Sequence, residues 1–124
     1  MFPLRPGTKK PATPDHPAHL CDRSDPRCEH GHTGWEQRAT TNPDRIERAW
    51  TRRRYGIGIA CGPSDLVVID LDIPKTTGHH DGVWHLTRLE HDHGHRLPAT
   101  FTVTTPRGGQ HRYYRTPPNG PAPS

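Results

Sequence analysis

The segment Leu66-Val67-Val68-Ile69-Asp70-Leu71-Asp72 runs through Leu and β-branched residues and then closes on two acids. Such a run suits a strand covered on both faces, so a central strand is predicted here. Side chains alternate faces with period two, which projects Asp70 and Asp72 from one face, about 7 Å apart along the strand. Two like charges so placed repel unless a cation sits between them. Two readings stay open for the pair, a divalent metal site or a solvated turn ahead of Pro74. A metal held by few carboxylates, with water and substrate phosphate completing its shell, would be Mg²⁺ or Mn²⁺.

Upstream, Tyr55-Gly56-Ile57-Gly58-Ile59-Ala60 alternates apolar residues with Gly and predicts a strand, followed by the turn Gly62-Pro63-Ser64-Asp65. Before it, Thr41-Asn42-Pro43-Asp44 supplies a cap residue, an early proline and an acid three positions after Thr41. A helix to about Arg53 follows, with Ile46, Ala49 and Trp50 inward and Arg45, Arg48 and Arg52 in water. Downstream, Val83, Leu86 and Leu89 predict a second helix from Asp81 to about His93, stopped by Gly94. Thr100 to Thr104 alternates with period two, Pro106 to Gly109 turns, and His111 to Arg115 is extended, which reads as a hairpin. The fold class expected is α/β of the α+β kind, with a small, mainly antiparallel sheet flanked by two helices. Pro3 to about Trp35 reads as loop apart from a short strand at Phe2–Leu4. Thr116–Ser124, with Pro117, Pro118, Pro121 and Pro123, is expected to be disordered.

Length and composition bound this picture. At 124 residues and 14.0 kDa there is room for one domain and none for a multidomain enzyme. Leu, Ile, Val and Phe together number only 18, against 15 Pro and 12 Gly, so the core must be small and loops abundant. No apolar stretch approaches the roughly 18 residues of a membrane span, and the N-terminus lacks a signal-peptide core. A soluble, cytoplasmic chain without a membrane partner is expected. The net charge of +4 rests on 14 Arg and only 3 Lys, a bias toward planar, bidentate contacts with phosphate. That permits a nucleic-acid partner, and a solvated basic surface would explain it equally.

Two further constellations carry chemistry. Thr105-Pro106-Arg107-Gly108-Gly109-Gln110-His111 is a glycine turn ending in an imidazole, where backbone N–H groups could approach a phosphate and Arg107, Arg112 and Arg115 add cationic donors. Gly-Gly is also ordinary turn chemistry. The second is His16-x2-His19-x-Cys21-x6-Cys28-x-His30-x-His32, where two thiolates and two imidazoles would make a tetrahedral zinc site, with Cys21, Cys28, His30 and His32 the best four. Against it, Cys-x6-Cys is wider than zinc-finger spacing, and the residues about 12–34 also read as a disordered insertion. Three cysteines with no secretory signal argue against a disulfide framework, and Cys61 reads as a small buried residue. The histidines from His79 to His95 read as a solvated polar surface. Arg52-Arg53-Arg54 suits the negative end of a helix dipole.

In this order the blocks resemble the N-terminal domain of bifunctional DNA primase/polymerases, within the archaeo-eukaryotic primase superfamily. Phe2 to Pro11 is similar to that family's early strand and Lys-Pro turn, and Trp35, Ala39 to Pro43 and Ile46 to Trp50 to its capped helix. Gly56 to Gly62 with Leu66 to Asp72 resembles its glycine strand and Asp-hydrophobic-Asp motif, and Thr105 to Tyr114 its small-x-His motif. The resemblance implies an RRM-like catalytic sheet, Asp70 and Asp72 as catalytic ligands of Mg²⁺ or Mn²⁺, and His111 in contact with the incoming nucleotide. Arg107, Gly108, Gly109 and Arg112 would line the nucleotide site, although Gly109 and Arg107 stand where relatives often carry Ser. Nucleoside triphosphates, a DNA template and primer, and a helicase encoded downstream or nearby are the partners implied.

No Asp or Glu follows His111, where the family carries a third metal carboxylate, and Met1 falls almost on the first strand. A partial domain over residues 1–115, truncated at both ends and with incomplete catalysis, is therefore the expectation. The rival reading is a non-enzymatic basic domain stabilised by zinc that contacts nucleic acid through arginines. A third is a fragment that does not fold stably.

Overall fold

The computed structural model describes residues 1–119 and divides into two compact units, Met1–Ser64 and a second from Asp65 onward. In the first, strand β1 (Phe2–Leu4) pairs antiparallel with β2 (Gly56–Gly58), setting Phe2 opposite Gly58 and Leu4 opposite Gly56. The Phe2 ring is buried and tilts against Trp35, with centroids 4.6 Å apart. Met1 and Thr40 exchange two hydrogen bonds, amino group to carbonyl at 2.8 Å and Thr40 N–H to Met1 carbonyl at 2.9 Å. The glycine strand is shorter than its pattern, and Ile59 is exposed beyond its end. Cys61, expected to be buried in that strand, instead lies half-exposed in the turn that follows.

The proline-rich segment expected to be loop contains two 3₁₀ turns, Ala18–Leu20 and Pro26–Cys28, and a four-residue helix, α1 (Trp35–Arg38), starts where it ends. Each is too short to show a hydrophobic period and is set by local bonds. The Asp25 carboxylate accepts from the Arg27 N–H at 2.9 Å, and Gln37 Oε1 from the Gly34 N–H at 2.9 Å. Helix α2 (Pro43–Arg52) forms where predicted, but its cap is Asn42 rather than Thr41. The Asn42 amide oxygen accepts from the N–H groups of Asp44 and Arg45, and this places Pro43 at the first helical position, where its missing N–H costs nothing.

The second unit is a three-stranded antiparallel sheet with strand order β3-β5-β4, built from β3 (Leu66–Leu71), β4 (Thr102–Thr104) and β5 (Gln110–Arg115), beside helix α3 (Gly82–His93). The hairpin β4–β5 forms as its pattern predicts. The apolar strand β3, however, is an edge strand and β5 is central. An apolar run reports burial of side chains and says nothing about which backbone lies beside it. Residues Leu66 to Ile69 are only half-buried, and Leu71 alone in β3 is buried.

Helix α3 starts on Asp81, whose carboxylate accepts from the Trp84 N–H at 2.8 Å, and stops at Gly94, whose φ of 68° suits Gly. Leu89, expected on its inward stripe, is exposed. Thr116 donates to the Asp65 carbonyl at 2.8 Å, Pro118 and Asn119 form a turn, and the remainder of the tail expected to be disordered lies outside the described residues. Three helices and two small antiparallel sheets make the mixed α+β fold, with one helix more than predicted. No helix among the described residues is long and apolar enough to cross a membrane.

Two substitutions test these constraints. Asn42→Ala removes the acceptor for two N–H groups of α2 and should cost about 1 kcal/mol in denaturant unfolding. A Cβ at Gly109 would come within 2.6 Å of the Leu71 carbonyl oxygen, so Gly109→Ala should lower stability by about 1–3 kcal/mol, read the same way.

Candidate functional site

Asp70 and His111 are direct cross-strand partners in the β3–β5 ladder, and partners directly opposite project from the same face. His111 Nε2 lies 3.3 Å from Asp70 Oδ1, with the two side chains 38% and 56% exposed, so the pair is open to solvent. Val103 of β4 continues this row on the far side of His111. Asp72 follows one residue beyond β3 and is exposed, with no ion-pair partner among the described residues. Its carbonyl accepts the Gly82 N–H at 2.8 Å, which ties the strand end to the start of α3. The two acids and the imidazole therefore share one end of one sheet. Among the described residues they do not close into a cluster whose ligand atoms all lie within 4.8 Å.

The turn from Thr105 to Gly109 holds this end in place. The Gly108 N–H donates to the Thr105 carbonyl and the Thr105 N–H to the Gly109 carbonyl, both at 2.9 Å. The Gly108 N–H expected to cradle phosphate is thus occupied by the turn itself. Gly109 is buried against β3 and serves close backbone approach. Arg107 is exposed on the turn without an ion-pair partner among the described residues. Arg112 does not join His111, because adjacent residues of a strand point to opposite faces. Its guanidinium instead donates to Gln110 Oε1 at 3.0 Å.

In the first unit, a second group of side chains converges. One ligand atom each from His16, Cys21, Cys28 and His32 all lie within 4.8 Å of one another. His30, expected as the fourth member, is exposed and outside the group, since Cys28 ends a 3₁₀ turn that directs the chain so that His32 returns to its sulfur. His16 takes the place expected for His30. Cys28 is fully buried, and its thiol is brought down to about 6, first by the Thr33 backbone N–H, with His16, the Thr33 hydroxyl and Cys21 assisting and burial opposing. The His16 imidazole is raised to about 9, foremost by its hydrogen bond to Asp15 and then by the two thiols.

Two features escaped sequence reasoning. Arg45, Arg48 and Arg52 of α2 meet Arg27 and Arg38 around a cavity of about 390 Å³, with Trp50 and Tyr55 also in its wall. Burial lowers the Arg27 pKa, and the charges of Arg45 and Arg38 lower it further, as expected of cations gathered without enough counter-charge. The helical spacing of three of these arginines was visible, but Arg27 is brought to them only by folding. The other feature is His80 stacked on Trp84 at 3.7 Å and 7°, beside the start of α3. The remaining histidines of this region join no metal-like cluster among the described residues.

The model of the family described as bifunctional DNA primase/polymerase, N-terminal, matches residues 1–123. No curated protein matches, and no solved structure matches. The matched span takes in both acids of β3, the turn and His111, and covers nearly the whole chain, which therefore belongs to the bifunctional DNA primase/polymerase N-terminal family.

Proposed function

We propose that the chain binds a nucleoside triphosphate together with a divalent cation at the Asp70–Asp72 end of β3, and serves template-directed nucleotidyl transfer in cytoplasmic DNA replication. The observation that carries this reading is the pairing of Asp70 with His111, which sets the two motif regions side by side on an open sheet face. The donor set fits a hard cation, because both carboxylates are exposed and neither is neutralised by Arg or Lys among the described residues. Bound there, Mg²⁺ or Mn²⁺ would activate a 3′-hydroxyl and stabilise the pyrophosphate leaving group. Asp70 and Asp72 hold the cation, His111 contacts a phosphate or sugar oxygen, and Arg107 supplies a guanidinium from the turn. In the first unit, the arginine-lined cavity offers DNA phosphates a sequence-independent surface. A helicase is the proposed partner in replication.

Calorimetric titration of a deoxynucleoside triphosphate with and without Mn²⁺ tests the nucleotide site. Metal-dependent binding is expected, weakened roughly tenfold or more by Asp70→Asn or Asp72→Asn at unchanged thermal stability, since one charged contact contributes about 1.5–3 kcal/mol. Absence of binding by a folded chain overturns this reading, and DNA binding indifferent to both aspartates would mark a non-enzymatic module. For the arginine surface, the double substitution Arg45→Ala/Arg48→Ala should weaken DNA binding regardless of sequence. The slope of log affinity against log salt should shrink by about 0.7–0.9 for each phosphate that the variant leaves unneutralised.

A further inference from the structure

We propose that His16, Cys21, Cys28 and His32 form a tetrahedral structural zinc site that organises the proline-rich segment of the first unit. With Zn–S near 2.3 Å and Zn–N near 2.0–2.1 Å, a tetrahedral ion sets its sulfur and nitrogen ligands about 3.6 Å apart. The Cys28 sulfur lies 3.7 Å from His16 Nε2 and 3.8 Å from His32 Nδ1. Both separations match the edge of that tetrahedron, and Cys21 completes the group within the same 4.8 Å span. Two thiolates and two imidazoles select zinc over the hard cations expected at Asp70.

The surrounding groups orient the ligands as a zinc site requires. Asp15 Oδ1 lies 2.9 Å from His16 Nδ1, so the carboxylate accepts that N–H and leaves the Nε2 lone pair facing the cluster. Arg38 Nη2 donates to the Cys28 sulfur at 3.3 Å and is itself held by Asp25 at 2.8 Å. Zinc is held by thiolates and neutral imidazoles, and two thiolates balance the charge of the dication. The physical need is plain in the sequence between His16 and His32, which carries two 3₁₀ turns and a single buried apolar residue, Cys28. An ion joining four points along this loop supplies the order that its apolar content cannot.

The test is metal content of the full chain purified under reducing conditions without chelator, by native mass spectrometry, followed by replacement with Co²⁺. One zinc per chain is expected, and Co²⁺ should give the visible absorption of a tetrahedral thiolate site. Cys21→Ser, Cys28→Ser and His16→Ala should lose the metal, and His30→Ala should retain it. Asp15→Asn should keep the ligand set and weaken Co²⁺ binding by about tenfold, the low end for such a partner because Asp15 is exposed. His16→Cys preserves a fourth ligand, so it should hold Co²⁺ with a shifted spectrum even if the alanine variant fails to fold. A folded, reduced chain that binds neither zinc nor Co²⁺ overturns the site. Loss of metal in His30→Ala with retention in His16→Ala overturns the ligand set. Nucleotide binding is a separate readout, so failure there leaves the zinc result standing.

Discussion

With only Phe2, Cys28, Ala60 and Leu71 buried among the apolar residues described, the apolar core of each unit is small, and directional bonds bear on its shape beside the half-buried apolar surface. The six-residue ladder between β3 and β5 is the largest such source in the second unit. In the first, the reciprocal Met1–Thr40 bonds, the Asn42 cap and the Arg38–Asp25 ion pair fill the same role over short segments. Such bonds are individually modest, near 1 kcal/mol net, so the removal of one is felt in a chain with so small an apolar core to compensate.

The same ladder creates the candidate nucleotide site. Asp70 and His111 lie far apart in sequence, and antiparallel register sets them opposite one another. A slip of one residue would send one of them to the other face. Register at this end is held by the approach of Gly109 to the Leu71 carbonyl and by the Gly82 N–H on the Asp72 carbonyl. Gly109 at this turn therefore serves close packing against β3, and Gly108, with a φ of 87°, serves the turn itself. Because the Asp70 face is open and its acids lack a basic partner from Arg or Lys among the described residues, charge is available there for a cation.

Much of this was readable from residue patterns. Strand β3, the β4–β5 hairpin and helices α2 and α3 each span enough residues for period and caps to register, and Asp70, Asp72 and His111 stood out by type and position. The 3₁₀ turns and α1 were hidden because a single turn has no period. The edge position of β3 was hidden because apolar content does not name a neighbour. Arg112, adjacent to His111 in sequence, projects from the opposite face of β5 because side chains of a strand alternate.

The His/Cys group shows the division most clearly. Residue order alone placed two thiols and four imidazoles between His16 and His32 and closed an apolar strand on two acids. Tertiary structure alone decided that His16 and not His30 completes the four, that Arg27 joins the arginines of α2, and that Asp70 faces His111. The physical reason is common to all three. Local patterns report interactions within a few residues, whereas a site is defined by directions of side chains from segments whose approach depends on every turn between them.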